Sequence, residues 1–286
     1  VWNLSDATFN FTEKAIVALP MALLIIAREI DISVAGIIAL SSVAMGLAAQ
    51  AGAGVPVVAL VGLAAGLACG MVNGALVTVF RVPSIVATIG TMSLFRGLAY
   101  AILGDQVLKS YPPGFDVFGQ GYLWEALSNE FALFLGLASV FAFVLHFTVA
   151  GRRLFAIGNN PTAALFSGIA VARTRFWLFA LVGLCAGIAS VCLTSRLGST
   201  RPSIAVGWEL EIITMVVLGG VSILGGTGSV PGVVLAALIM GLVTFGLGLL
   251  NVPGVVMQIV VGALLVVVIA IPAVLRRAGV ARGGRR

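Results

Sequence analysis

Apolar residues in this chain fall in long unbroken runs, unlike the alternation of a half-buried strand or the one-sided stripe of a soluble helix. The runs end at charges, at Pro-Gly pairs or at polar clusters. Nine approach the roughly 20 residues that carry a helix across a hydrocarbon core. They cover 15–27, 33–50, 56–80, 84–104, 131–149, 176–195, 210–224, 230–250 and 253–275. The first is short and the seventh shorter, ending in Gly225-Gly226-Thr227-Gly228. The pattern predicts that these two are half-crossings or helices broken inside the protein, where neighbouring protein or water satisfies the open backbone. The predicted fold class is all-α: a polytopic membrane helix bundle forming one transmembrane domain over 1–286, with a loop at 151–175 and a tail at 276–286.

Composition points the same way. Of 286 residues, 60% are hydrophobic and 9% charged, against roughly 25% charged in soluble domains. The mean hydropathy is +1.18. Sixteen basic residues against ten acidic give a net charge of +6, but their distribution favours sidedness across a bilayer over nucleic-acid binding. The tail holds Arg276, Arg277, Arg282, Arg285 and Arg286 and no acid, which predicts a cytoplasmic C-terminus. Counting spans backwards puts Arg28, Arg81, Arg152, Arg153, Arg173 and Arg175 on that side, so 11 of the 16 basic residues share it. The opposite side collects Asp6, Glu13, Asp105, Asp116, Glu125, Glu130, Glu209 and Glu211, with Lys14, Lys109, Arg196 and Arg201 as its chief bases. Nine crossings then start outside, and Val1 follows no signal peptide, so one further span before Val1 is expected.

Helices in lipid gain little from leaving water and associate through close backbone approach at small residues. Gly62, Gly66, Gly70 and Gly74 offer such a seam, and Gly183 and Gly187 repeat the device. Cys69, Cys185 and Cys192 lie within apolar runs and read as small packing residues, with neither a disulfide nor a metal site expected.

Several chemistries are excluded by what the motifs lack. A P-loop needs a Gly-Lys-[Ser/Thr] step, and neither Lys14 nor Lys109 follows glycine. The glycines at 225–228 read as a turn, with Pro231 opening the next helix. The one histidine, His146, reads as an interfacial packing residue rather than a general base.

The segment from Gly151 to Gly168 carries a short helix with both ends marked. Asn160 suits the cap, Pro161 the first turn and Gly168 the left-handed terminus. Leu165 and Phe166 stand out in a basic loop, which fits either a plug for another protein or a helix lying on the membrane surface. In Arg28-Glu29-Ile30-Asp31-Ile32-Ser33, Asp31 or Ser33 is placed to cap the following helix. Arg96 falls deep in the fourth run and is expected to face the bundle interior, paired or lining a wet path. Between Thr194 and Glu211, hydroxyls gather with Arg196, Arg201, Trp208 and Glu209, a set suited to a hydroxyl-rich ligand or to a docking protein.

Three stretches carry a family resemblance: Glu29 to Val34, Gly158 to Ile169, and Val216-Val217-Leu218-Gly219-Gly220-Val221-Ser222-Ile223-Leu224-Gly225-Gly226. Through them the chain resembles, over nearly its whole length, the permease subunits of bacterial sugar ABC importers, which include ribose, galactose and autoinducer-2 permeases. Ser195 to Ile204, Gly207 to Glu211 and Leu249 to Gly254 are similar to rhamnose permeases. The resemblance implies ten spans per subunit in the bacterial inner membrane and a second permease subunit, identical or related. It also implies a cytoplasmic ATPase pair carrying ATP and Mg, and a periplasmic or extracellular sugar-binding protein. No catalytic residue, metal or cofactor is implied for the chain itself. Asn159, Asn160, Pro161, Thr162, Ala163, Ala164, Leu165, Phe166, Ser167 and Gly168 match the family's ATPase-coupling helix. Many relatives carry an acid where Pro161 stands and a charge at Leu165, so the contact here is expected to rest on shape and apolar burial. Arg96, Ser195, Arg196, Arg201, Trp208 and Glu209 are the candidates along the pathway. The competing classes are an ATP-independent secondary transporter or channel and a membrane scaffold. Glu29, Asp31, Glu209 and Glu211 all lie near run ends and no acid stands at mid-span, which disfavours a proton-coupled transporter.

Overall fold

Glycine decides which helices sit at the centre. In the computed structural model, which describes residues 11–124, 127–257, 259–264, 266–267 and 270, the chain opens with α1 (Thr12–Ile26), α2 (Val34–Gln50), α3 (Val55–Thr78) and α4 (Ser84–Leu103). A connection follows with a one-turn helix α5 (Val117–Gln120) and a small hairpin, β1 (Tyr122–Trp124) antiparallel to β2 (Leu127–Ser128). Then come α6 (Asn129–Phe147), α7 (Val149–Asn159), α8 (Pro161–Phe166) and α9 (Val171–Leu197). The described part closes with α10 (Trp208–Leu218), α11 (Val230–Leu249) and a helical stretch from Gly254.

Five helices among the described residues, α3, α4, α6, α9 and α11, are long and apolar enough to cross a membrane. In α9, 72% of the best apolar window is buried, against 28% in each of the others, so α9 is central and the rest offer a face to their surroundings. The first run is short for a reason its apolar residues conceal. Every residue of α1 except Lys14 is buried, so α1 is enclosed by protein rather than lipid. The seventh run is broken as expected: α10 stops after eleven residues and the chain continues without helix from Gly219 to Ser229.

The α3–α9 contact is the glycine seam. A methyl group on Gly66 would overlap the Gly183 carbonyl oxygen and lie 2.8 Å from the Gly187 Cα, and one on Gly70 would lie 2.9 Å from the Gly183 Cα. Only glycine on both helices permits that approach.

The two ends of the bundle differ in charge. Ile26, Arg28, Glu29, Asn159, Arg175 and Gly226 meet at one end, and Arg81 lines a cavity with Arg175 there. Arg152 and Arg153 on α7 and Arg173 in the first turn of α9 belong to the same end. At the other, Lys14 pairs with Glu211 and Arg196 with Glu13. The tail arginines, Val1, Asp6, Glu125 and the close of the ninth run lie outside the described residues.

Candidate functional site

The basic end presents the feature the sequence marks most clearly. The Asn160 side chain accepts from the Ala163 N–H at 3.0 Å, Pro161 opens α8, and Gly168 takes φ +82°. Ala164 is buried beneath the turn, and its carbonyl accepts from the Ile169 N–H at 3.0 Å. Leu165 and Phe166 are 59% and 87% exposed. A two-turn helix capped at its start, closed by a left-handed glycine and anchored through Ala164 is a stiff knob with an apolar tip.

Behind it three chain segments meet at a junction. Arg28 Nη2 donates to the Asn159 carbonyl at 2.9 Å, and the Gly226 N–H donates to the Ile26 carbonyl at 2.9 Å. A methyl group on Gly158 would overlap the Ile26 carbonyl oxygen and lie 2.8 Å from the Gly226 Cα. The end of α7, which leads directly into α8, is thus packed against both the end of α1 and the non-helical stretch 219–229. That stretch is fixed at its far side, where the Val230 N–H donates to His146 Nε2 at 3.4 Å. His146 thus ties α6 to the start of α11, a role that packing periodicity does not reveal.

The α1–α2 turn is held by Asp31, which is buried. Its Oδ1 accepts from the Ser33 N–H at 2.8 Å and the Ser33 hydroxyl at 2.7 Å, and its Oδ2 from Asn73 Nδ2 at 3.1 Å. Burial raises the Asp31 carboxyl above its ordinary range, and the Ser33 and Asn73 donors oppose that rise. Asp31 bonds to Ser33, which in turn precedes α2 without capping it through its own side chain.

At the opposite end the predicted pathway candidates separate: Arg96 holds the loop that follows α9, while Ser195 and Arg196 tie the end of α9 to the 115–119 connection and to α1. Arg96 Nη1 donates to the carbonyls of Pro202 and Ile204, each at 2.6 Å, and Nη2 to that of Ala35 at 3.1 Å. The Ser195 hydroxyl donates to the Phe115 carbonyl at 2.6 Å and accepts from the Gly119 N–H at 2.8 Å. Arg196 Nε donates to Glu13 Oε1 at 2.7 Å. Thr200 pairs with Ser42 and Tyr111, and burial raises the Tyr111 phenol above its usual range. Arg201 is exposed. Lys14 sits 4.9 Å from the centre of the Trp208 ring and 2.5 Å from Glu211, while Glu209 Oε2 is buried without a hydrogen-bond partner among the described residues. A cavity of about 450 Å³ beside them is lined by Lys14, Glu211, Thr244, Phe245 and Met257 among others, a size that suits a small molecule. The structure thus brings Trp208 against Lys14, which lines the cavity, and ties Arg96, Ser195 and Arg196 into the protein.

Arg96→Leu is expected to leave three carbonyls without their charged donor and to cost about 2–3 kcal/mol, with Arg96→Lys recovering only part. Thermal unfolding in detergent, with limited proteolysis at 198–207, checks it: an unchanged midpoint and cleavage rate would refute the clamp.

A family profile described as the permease component of branched-chain amino acid transport systems matches residues 3–269. The chain belongs to this permease family. Similar curated proteins include the autoinducer 2 import system permease protein LsrD of Escherichia coli strain K12 and that of Shigella flexneri. Each is 37% identical over 269 residues, covering 92% of this chain and 81% of the relative. The LsrD protein of Escherichia coli O157:H7 is 36% identical over the same length. No solved structure matches the chain. A permease of this family is a multi-pass membrane protein whose work is moving a solute, which agrees with an all-helical bundle that has apolar outer faces.

Proposed function

We propose that this permease forms half of the transmembrane pathway of an ATP-driven monosaccharide importer in the bacterial inner membrane, with its basic end in the cytoplasm. ATP is hydrolysed on separate ATPase subunits, a binding protein outside delivers the sugar, and a second permease subunit completes the pathway. The chain itself makes and breaks no bond. The observation that carries the reading is the stiff knob of α8, whose exposed Leu165 and Phe166 sit on a junction shared with α1 and the broken α10–α11 crossing. A groove in the ATPase dimer that grips this tip and shifts as nucleotide binds biases the bundle between outward-open and inward-open states. Asymmetry of Arg residues between the ends supports the orientation.

For the cargo, the stretches Ser195 to Ile204 and Gly207 to Glu211 support L-rhamnose, and the similarity to autoinducer 2 permeases supports autoinducer 2 as the second reading. Reconstitution with ATPase and binding protein, followed by ATP-dependent uptake of each labelled compound, decides between them.

Leu165→Asp combined with Phe166→Asp is expected to abolish uptake by placing two carboxylates where apolar side chains dock, while the protein still reaches the membrane. Normal uptake by the double variant would remove the coupling role of α8. Uptake without any ATPase would replace the reading with a secondary transporter.

A further inference from the structure

Beside the knob, a cavity of about 500 Å³ opens between the α3–α4 turn, the start of α9 and α8. Its charged lining is Glu29, Arg81 and Arg175, with Ser84 adding a hydroxyl and Leu165 and Val171 apolar walls. These charges do not cancel. Arg175 Nη1 donates to Glu29 Oε1 at 2.8 Å and Nη2 to the Ala27 carbonyl at 3.3 Å, so Glu29 is already paired. Arg175 Nε is buried with no acceptor among the described residues, and a buried guanidinium N–H left open is rare in a folded protein. The Arg81 side chain has no hydrogen-bond or ion-pair partner among the described residues. Its backbone is held in the left-handed region at φ +58°, in a turn fixed by the bonds from the Phe80 N–H to Ala75 and from the Val82 N–H to Leu76. Arg81 is exposed, so the cavity offers at its surface one positive charge without a protein partner among the described residues, on a fixed turn.

We infer that this cavity is a socket for an acidic side chain of the ATPase subunit, an Asp or Glu entering beside the knob to meet Arg81. The inference rests on the proposed function. Leu165 belongs both to the knob and to the cavity wall, so a protein that covers the exposed tip of α8 also closes the mouth of the cavity. The docking is then reciprocal: an apolar knob goes into the ATPase and a carboxylate comes back. A charge pair screened from water at such an interface sets register and slows dissociation. It also restores a charge match that an apolar knob alone lacks, because α8 itself carries no charged residue.

The test uses the permease in lipid nanodiscs with its ATPase, comparing unmodified chain, Arg81→Lys, Arg81→Glu and, on α7 outside the cavity, Arg152→Gln. Arg81→Glu is expected to weaken ATPase binding about tenfold or more and to flatten its dependence on salt, while Arg81→Lys and Arg152→Gln stay near the unmodified value. Native mass spectrometry of retained phospholipid is read on the same samples. If Arg81→Glu sheds anionic phospholipid and binds the ATPase normally, the cavity is a lipid site and the socket is wrong. Unchanged ATPase affinity with unchanged lipid overturns it as well. Failure of the unmodified chain to bind the ATPase would remove the proposed function and this inference with it, whereas normal binding that Arg81→Glu leaves intact removes the socket alone.

Discussion

One methyl group added at Gly66 is expected to lower the stability of the solubilised protein by about 3 kcal/mol, at the upper end of overpacking costs. The new carbon would overlap the Gly183 carbonyl oxygen and sit 2.8 Å from the Gly187 backbone nitrogen. Backbone cannot rotate aside as a side chain does, so α3 and α9 must move apart along their shared length. Since α9 is the most buried of the long helices, the separation reaches α1 and α2 as well. The comparison is Gly90→Ala and Gly97→Ala on α4, where an added carbon meets nothing within 4 Å. There the backbone entropy of glycine is the main term, and alanine is expected to be neutral or to stabilise by up to about 1 kcal/mol. Midpoints of thermal unfolding in one detergent check all three. Equal midpoints for Gly66→Ala and Gly90→Ala would mean that the seam contributes nothing to packing.

That seam was legible in the chain because glycine at spacing four has one geometric meaning on a helix. The caps of α8 were legible for a similar reason: Asn160, Pro161 and Gly168 each solve a local backbone problem, and local problems leave local marks. Length and hydropathy marked the five described helices that are long and apolar enough to cross a membrane, and flagged the weak seventh run. They did not reveal that α1 is enclosed on all sides, since lipid and apolar protein select the same residues. Long-range polar ties left still less trace. The bonds of Arg96 to Pro202 and Ile204 join residues more than a hundred positions apart, and a lone arginine in an apolar run says only that a partner exists. Arg28, Asn159 and Gly226 were each visible in motifs, but their meeting at one point is a property of the packed bundle.

Gly158→Ala is expected to cut sugar uptake per ATP hydrolysed at least about tenfold, on the proposed function, because it strikes the junction and leaves the tip of α8 untouched. The added carbon would overlap the Ile26 carbonyl oxygen, which also accepts the Gly226 N–H. To relieve the overlap, α7 must withdraw from α1, or the glycine turn must lose its bond to Ile26. Gly226 sits at φ +78° with its position beside Asn159 already tight, so the turn has few other conformations to adopt. Either way α8 still docks through Leu165 and Phe166, the ATPase still turns over, and its motion no longer reaches residues 219–229. Arg28→Ala removes only the bond to the Asn159 carbonyl from an exposed side chain and is expected to cause a smaller loss of the same kind. The decisive measurement is the ratio of uptake to hydrolysis, taken beside the amount of folded complex. A junction that transmits force lowers the ratio, whereas one that only supports the fold lowers uptake, hydrolysis and complex together. A proportional fall of all three in both variants would return these residues to ordinary packing.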